Sequence, residues 1–307
     1  MGRIVVLGSL NVDLVAQVSH LPAPGETVLA DSLQTFPGGK GANQAAGAAR
    51  LGGSVAMIGR VGNDTFGSML LKSLTRDGAD ITGVARDPDA PTGTALILVD
   101  PQGENVIAVS PGANANLGAD EIRHALDAVD AHGLLVLQLE IPPHVVREAI
   151  AGARRKGIRT LLNAAPAGRV TIADVVGLDV LVTNEPETSA LVGRPVEDTP
   201  AAERAALELH KKGVRLAVVT LGAAGSVFCL DGSAEHVEPF HVTAVDSTAA
   251  GDAFVGALAV ALSDGIEVPQ ALRLANAAGA GAASKAGAQS SLPHRGDLER
   301  LFGVRWP

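Results

Sequence analysis

The stretch Leu134–Asn163, LLVLQLEIPPHVVREAIAGARRKGIRTLLN, contains two apolar runs on either side of a helical pattern. The runs Leu134–Leu139 and Thr160–Asn163 have the length and the apolar content of strands that are buried on both faces. Between them, His144–Lys156 predicts a helix, and Gly157 stands where the glycine that ends a helix belongs. Strands that alternate with helices in this way are typical of an α/β protein.

The same alternation continues over most of the chain. Further strands are predicted at Ile4–Leu7, Val55–Gly59, Val180–Thr183, Leu216–Leu221 and Ser226–Leu230, and further helices at Ala42–Leu51, Phe66–Arg76, Ala119–Ala128, Ala201–Lys212, Gly251–Ser263 and Val268–Ser284. This order predicts a doubly wound, mostly parallel sheet with helices on both faces.

Two segments interrupt the alternation, because Gly25–Phe36 and Thr92–Ser110 have strand patterns without a helix. The second segment predicts a hairpin around the turn sequence Asp100-Pro101-Gln102-Gly103. These pieces predict a small separate sheet; the alternative is an antiparallel edge of the main sheet. We expect a single domain, 1–307, with an inserted β lid formed by about 12–36 and 92–110.

Composition limits the classes of partner. The 307 residues include 24 Lys and Arg against 33 Asp and Glu, a formal charge of -9, which argues against nucleic acid or an anionic membrane as a partner. The single cysteine excludes a disulfide within the chain, and no apolar stretch reaches the ~18 residues that span a bilayer. The first residues also lack the cleavage region of a signal peptide, so we expect a cytoplasmic protein.

The segment Ala244–Leu258, AVDSTAAGDAFVGAL, carries the strongest indication of chemistry. The backbone N–H groups of Ala249, Ala250 and Gly251 have almost no side chain around them, and such groups at a helix N-terminus bind anions. Asp252 follows directly. An acid beside an anion site makes sense if it accepts a proton from a hydroxyl that attacks a phosphate; the alternative is a charge that complements the helix dipole.

A glycine-rich turn, FPGGKGAN (36–43), precedes a helix. Its glycines let a ligand touch the backbone, while Lys40 and Asn43 add hydrogen-bond donors that suit hydroxyl-rich ligands. The spacing is not that of a P-loop, and no GxGxxG pattern follows the first strand, which argues against a dinucleotide fold. The alternative is a purely structural turn.

Three polar residues follow predicted strands. Asn11 and Asp13 come directly after the first strand, and Glu140 follows the run Leu134–Leu139. Ligands of open α/β sheets bind beyond the carboxyl ends of the strands, and a carboxylate there can accept paired sugar hydroxyls. The alternatives are a strand-end turn for Asp13 and a solvated loop for Glu140.

Two weaker patterns follow later strands. Asn184 and Glu187, after Val180–Thr183, suit Mg²⁺ held largely through water, although Glu187 could instead charge the first turn of a helix. The segment TLGAAG (220–225) predicts either a plain turn or a flat glycine surface for a nucleotide phosphate.

Taken in order, these motifs resemble the PfkB family of carbohydrate kinases across essentially the whole chain. The matching segments are GSLNVD (8–13), PGETV (24–28), FPGGKGANQA (36–45), GRVGNDTFG (59–67), GENVI (103–107), PGAN (111–114), LQLE (137–140), TNEPE (183–187), TLGAAG (220–225), AVDSTAAGDAFVGAL (244–258) and KAGAQSSLP (285–293). The resemblance implies the doubly wound fold with a β lid.

The resemblance also implies residue roles. Asp252 is the base on the sugar's primary hydroxyl, and Ala249, Ala250 and Gly251 supply the anion hole. The sugar hydroxyls are held by Asn11, Asp13, Gly39, Lys40, Asn43, Glu140 and Asp252. Asn184 and Glu187 correspond to magnesium and phosphate residues, and Thr220, Gly222, Gly225, Gly251 and Asn276 correspond to the nucleotide site. A monovalent cation, typically potassium, is held at Asp246, Thr248, Ala282, Lys285, Gly287 and Ser291, several of them through backbone carbonyls.

The activity implied is ATP-dependent phosphorylation of D-ribose at its 5-hydroxyl, giving D-ribose 5-phosphate, with Mg²⁺ and K⁺. Alternatives are a kinase of another sugar or a nucleoside, such as deoxyribose or a fructose relative, and a non-catalytic sugar-binding sensor. Scarce aromatics, 2% of the chain with no Tyr, weigh against a nucleoside. Asp252 beside an intact AAG loop weighs against a sensor. The open edges of the lid strands predict a homodimer joined through the lid.

Overall fold

The structure, a computed structural model that describes residues 2–307, is built on a nine-stranded sheet and a four-stranded sheet. In chain order the strands are β1 (Ile4–Leu7), β2 (Asn11–Val18), β3 (Ala30–Gly38), β4 (Val55–Gly62), β5 (Asp80–Asp87), β6 (Gly93–Val99), β7 (Asn105–Ser110), β8 (Leu134–Leu137), β9 (Arg159–Asn163), β10 (Val180–Asn184), β11 (Leu216–Thr220), β12 (Ser226–Leu230) and β13 (Ser233–Val237). The large sheet has the order β13-β12-β11-β10-β9-β8-β1-β4-β5. Among residues 2–307, β12 pairs antiparallel with β11 and with β13 and the other pairs of this sheet are parallel, which confirms a mostly parallel sheet.

Helices connect the parallel strands. They are α1 (Lys40–Arg50), α2 (Thr65–Arg76), α3 (Ala119–Ala128), α4 (Pro143–Lys156), α5 (Ile172–Val175), α6 (Glu185–Val192), α7 (Thr199–Lys211), α8 (Ala250–Ser263), α9 (Val268–Ala283) and α10 (Arg295–Phe302). The seven predicted helices are all present. Helix α4 ends at Gly157, whose φ of 66° is the left-handed conformation expected of a terminal glycine. Within residues 2–307, no helix has the length and apolar character needed to cross a membrane.

The predicted strands are also present, but two strands of the large sheet were missed. These are β5 and β13, which form its two edges. Both are half-exposed and carry polar residues in place of the continuous apolar runs of the central strands. An apolar run marks a strand that is buried on both faces, so edge strands give a weaker signal.

The small sheet has the order β3-β2-β6-β7 and shares no strand with the large sheet within residues 2–307. The predicted separate sheet is therefore confirmed, and the alternative of an antiparallel edge is wrong. Strand β2 was not predicted, because Asn11 and Asp13 were interpreted as residues at the end of β1. Instead β2 pairs antiparallel with β3 and parallel with β6.

Apolar residues cover both faces of the large sheet. On β1, Ile4 and Val6 face a cluster that contains α1, α8 and α9, whereas Val5 and Leu7 face one that contains α3, α4 and α7. Helices α1 and α8 approach closely, since a Cβ at Gly256 would lie only 2.9 Å from the backbone nitrogen of Ala48. This close packing brings the first turn of α1 beside the first turn of α8.

Candidate active site

A cavity of about 530 Å³ opens beyond the carboxyl ends of β8 to β11, where the small sheet also reaches the large one. Its wall brings together most of the residues that the sequence indicated: Asn11, Asp13, Gly39, Lys40, Asn43, Glu140, Asn184, Glu187, Thr220, Gly222, Thr248, Ala249, Gly251 and Asp252. One end of the cavity thus contains carboxylates and amides, and the other contains a helix N-terminus.

Asp252 lies in the first turn of α8 and is 6% exposed. Its two carboxylate oxygens are held separately: Oδ2 accepts from Asn43 Nδ2 at 2.9 Å, and Oδ1 accepts from Gln44 Nε2 at 3.0 Å. Both donors come from the first five residues of α1. The carboxylate is therefore fixed in direction while it remains at the cavity wall.

The backbone before Asp252 has an unusual conformation. Ala249 caps α8 with φ 62° and ψ 4°, the left-handed region that non-glycine residues rarely adopt. The N–H of Ala250 donates to the carbonyl of Ser247 at 3.1 Å, so one of the three N–H groups expected to bind an anion is engaged in a turn. Those of Ala249 and Gly251 have no acceptor among residues 2–307. Two uncovered N–H groups therefore remain beside the helix dipole.

Glu140 is held at one oxygen by three donors, which come from the glycine-rich turn, the loop between β1 and β2, and the first residue of β2. Its Oε2 accepts from the Ser9 hydroxyl at 2.7 Å, from the Lys40 backbone N–H at 3.0 Å and from Asn11 Nδ2 at 3.4 Å. The other oxygen, Oε1, has no such partner among residues 2–307. This arrangement orients the carboxylate toward the cavity for a further donor.

Asp13 lies on β2 among other charged groups. The pKa of its carboxyl is raised from the ordinary value of 3.8 to about 7, mainly by burial and also by the charges of Glu140 and Asp252, which Lys40 opposes. Burial lowers the pKa of the Lys40 ammonium, but the carboxylates of Asp252, Glu140, Glu187 and Asp13 outweigh this effect and raise it. Lys40 is therefore a permanent cation among acids, and Asp13 titrates near neutral pH.

The glycines of the turn are required by the protein's own packing. A Cβ at Gly38 would lie 2.2 Å from Oδ2 of Asp13, and Gly39 has φ 88° with the backbone nitrogen of Asn11 only 2.6 Å from its Cβ position. Side chains here would displace the residues that face the cavity, so these glycines shape the site even before a ligand binds.

Asn184 and Glu187 form a reciprocal cap at the start of α6. The Asn184 side chain accepts from the Glu187 N–H, and the Glu187 carboxylate accepts from the Asn184 N–H, both at 2.9 Å. Burial raises the pKa of Glu187, although the Asn184 N–H and Lys40 lower it. Glu187 therefore does lie in the first turn of a helix, as the alternative interpretation had it. Its second carboxylate oxygen is left to interact with a ligand in the cavity.

A second cavity of about 280 Å³ shares Thr220, Gly222, Ser247 and Gly251 with the first. Its wall is mostly apolar or backbone and contains the predicted nucleotide residues Thr220, Gly222, Gly225, Gly251 and Asn276. Both amide hydrogens of Asn276 are engaged, by the carbonyls of Val237 and Glu238 at 3.1 Å each. Asn276 can therefore offer a ligand only its oxygen.

The residues indicated for a monovalent cation lie around the end of α9 and the turn after it. Asp246 accepts from the N–H groups of Thr248 at 2.9 Å and Gly287 at 2.8 Å. Burial raises the pKa of Asp246, but hydrogen bonds from the Thr248 side chain and from these two N–H groups outweigh it, and the pKa is lowered. The Lys285 ammonium points to Asp297, at 3.9 Å, so the group that Lys285 can offer a cation is its backbone carbonyl. The carbonyl of Ala282 already accepts from the Lys285 N–H at 3.1 Å.

Three residues that hold the site were not singled out from the sequence. Ser9 supports Glu140, Gln44 supports Asp252, and Asn114 bonds the backbone of Leu10 at both N–H and carbonyl and the side chain of Asn11. All three fall inside segments that carried the family resemblance. Their place in these segments could have marked them as site residues. Their hydrogen-bond partners could not be identified, because these partners are distant in the sequence.

Comparison with known proteins agrees with this geometry. The model of the "pfkB family carbohydrate kinase" matches residues 1–295. The chain is 37% identical to mouse ribokinase over 96% of this chain and 93% of that protein, and 36% identical to a deoxyribokinase of Salmonella typhi over 94% and 95%. The structure of Arabidopsis thaliana ribokinase complexed with ribose and ATP has a TM-score of 0.88 and 30% identity, covering 99% of both chains. The chain therefore belongs to the pfkB family of carbohydrate kinases.

Proposed function

We propose that the protein phosphorylates D-ribose at its 5-hydroxyl with ATP, giving D-ribose 5-phosphate and ADP. The observation that carries this proposal is Asp252, which lies at the cavity wall, held by two amides, beside the uncovered N–H groups of a helix terminus. The similarity to ribokinases, one of them solved with ribose and ATP, supports ribose as the sugar.

In this mechanism Asp252 accepts the proton of the 5-hydroxyl as its oxygen attacks the terminal phosphorus of ATP. The bond from that phosphorus to the ADP oxygen breaks, and ADP leaves. Positioned groups of this kind contribute about 10²–10⁴ in rate through proton transfer, and alignment of the hydroxyl contributes more. The N–H groups of Ala249 and Gly251, together with that of Ala250 if it leaves Ser247, stabilise charge on the transferring group.

In this proposal the sugar is held by hydrogen-bond acceptors and by hydrogen-bond donors. The carboxylates of Asp13 and Glu140 accept from its hydroxyls, and Asn11, Lys40 and Asn43 donate to them or complete the wall with Gly39. Asn43 can also accept from a sugar hydroxyl, because its Oδ1 has no partner among residues 2–307 while its Nδ2 donates to Asp252.

The residues also fit the two metal ions of the proposal. Asn184 and the free oxygen of Glu187 are the hard ligands that Mg²⁺ accepts, largely through water. A large monovalent cation such as K⁺ suits a site of one carboxylate with several carbonyl or hydroxyl oxygens. The residues proposed to offer these oxygens are Asp246, Thr248, Ala282, Lys285, Gly287 and Ser291. When bound, both ions neutralise phosphate charge near the anion site.

We further propose that the chain is a single domain whose small sheet acts as a lid, and that two copies form a homodimer through this sheet. The proposed location is the cytoplasm, where ATP is available. One face of the small sheet lines the cavity with Ile97 and Val109. The opposite face exposes Leu33, Leu96 and Val106 by 68%, 53% and 53%. These exposed apolar groups lie away from the cavity and are suited to burial by the small sheet of a second copy, whereas the equally exposed Ile107 and Val109 face the cavity.

The test is ATP consumption over a panel of pentoses and hexoses, with and without K⁺. We expect D-ribose to give the highest kcat/KM and K⁺ to increase it. 2-Deoxyribose belongs in the panel because the similarity to a deoxyribokinase favours it as the second candidate. A hexose preference, or no sugar-dependent ATP consumption, would overturn the proposal.

A further inference from the structure

Gln44 connects four elements at the base of the cavity. It lies on α1, is 1% exposed, and is not among the described residues that line the cavity. Its Nε2 donates to Asp252 Oδ1 on α8 and to Asn163 Oδ1 at the end of β9, both at 3.0 Å. Its Oε1 accepts from Nε2 of Gln138, directly after β8, at 2.6 Å. The side chain therefore reaches Asp252 from the buried side.

Only one orientation of the Gln44 carboxamide satisfies these partners. The Asp252 carboxylate can only accept, and the Asn163 amide donates its own N–H to the carbonyl of Val182 at 3.3 Å, which turns its oxygen toward Gln44. Gln44 must therefore present its NH₂ group to both, and its oxygen to Gln138. A reversed amide would place oxygen against two acceptors.

We propose that Gln44, held by Gln138, is a positioning residue that fixes the direction of the Asp252 carboxylate for proton transfer; this inference rests on the proposed role of Asp252 as the base. Without Gln44, only the bond from Asn43 remains, and the carboxylate can rotate about its Cβ–Cγ bond. A displacement of about 1 Å at a reacting group costs on the order of 10²-fold in rate. Because Gln44 does not line the cavity, it makes no contact of its own with the sugar, and we expect its loss to affect turnover more than sugar binding.

The test compares Gln44→Met, Gln138→Met and the double variant, since methionine preserves the volume of glutamine and removes its hydrogen bonds. We expect Gln44→Met to lower kcat by at least roughly tenfold with the KM for sugar changed less than about threefold. Gln138→Met is expected to lower kcat by about threefold or more, and the double variant to equal Gln44→Met, because both act through Asp252.

Thr160→Val is the matched control. It removes the hydroxyl that donates to Asp179 at 3.3 Å, at the opposite end of β9 from Asn163, and should leave kcat within about twofold of the parent. An unchanged kcat in Gln44→Met, a KM that rises as much as kcat falls, or effects of the two glutamines that multiply would each overturn the proposal.

A crystal structure of Gln44→Met, or of Gln138→Met if the former does not fold, gives a readout independent of the sugar. We expect the Asp252 carboxylate to be rotated about its Cβ–Cγ bond from its original orientation, with the backbone of α8 unchanged. A carboxylate in its original place would overturn the inference. Failure of the parent chain to phosphorylate any sugar would refute the proposed function while leaving this structural result to decide the role of Gln44.

Discussion

Replacement of Asp13 with asparagine separates the stability of the protein from its activity. The carboxyl of Asp13 lies against Gly38 on the small sheet, and burial together with the charges of Glu140 and Asp252 raises its pKa from 3.8 to about 7. An amide has nearly the same shape and no charge. The substitution therefore removes the cost of ionising this group in the folded protein while it also removes an acceptor that the sugar needs.

The magnitude follows from the pKa. The folded protein holds Asp13 neutral below pH 7, whereas the unfolded chain ionises it above pH 4, so the free energy of unfolding falls as the pH rises between these values. A shift of about 3 pKa units corresponds to about 4 kcal/mol in full, of which about 2–3 kcal/mol is lost between pH 5 and pH 8. Asp13→Asn does not suffer this loss, so its stability relative to the parent should rise by that amount over the same interval.

The assay is denaturant unfolding of both ligand-free proteins at pH 5 and pH 8. The control is Asp31→Asn, at an exposed position on the same sheet. Its free energy of unfolding should differ from that of the parent by the same amount at both pH values. Ribose phosphorylation by Asp13→Asn should fall even at pH 8, where its stability gain is largest. An equal stability difference at pH 5 and pH 8 would refute the reasoning about the buried charge.

Three further outcomes follow from the site and the small sheet. Asp252→Asn should lower turnover by at least ~10² while ribose still binds by calorimetry, because the amide cannot accept the proton; normal turnover would remove the assigned base. Ala249→Gly should keep activity, and Ala249→Val should lose it in steady-state assays, since a β-branched residue resists the left-handed φ of 62°; equal activities would contradict this. Leu96→Glu should yield a monomer in light scattering, and a parent that is itself monomeric at micromolar concentration would count against the dimer.

The fold could be predicted to the extent that burial leaves a pattern. Central strands such as Leu134–Leu137 are buried on both faces, and their continuous apolar runs identify them. The edge strands Asp80–Asp87 and Ser233–Val237 have no such run and were missed. Strand Asn11–Val18 was missed for a different reason: it follows β1 after only three residues, and a strand that changes sheets leaves no local mark.

Site residues that stand in a distinctive local pattern could be singled out from the sequence. Residues that support the site through a partner far away in the sequence could not. Asp252 follows small residues at a helix start, and that local pattern is enough to single it out. The hydrogen bond from Gln44 to Asp252 spans 208 positions, and the one from Asn114 to Asn11 spans 103. Neither Gln44 nor Asn114 has neighbours that indicate these contacts, so the supporting network appears only in three dimensions.

Because the chain passes from β1 directly into β2, the residues of the site are distributed over two sheets. Asn11 and Asp13 belong to the small sheet, whereas Asp252 and the uncovered amides belong to helix α8 on the large one. Any swing of the small sheet would carry the acceptor hydroxyl toward or away from the phosphate as a single motion. A water molecule lacks the several hydroxyls that a sugar can offer to Asn11 and Asp13 together, so we expect closure of the small sheet to favour transfer to the sugar over hydrolysis of the nucleotide.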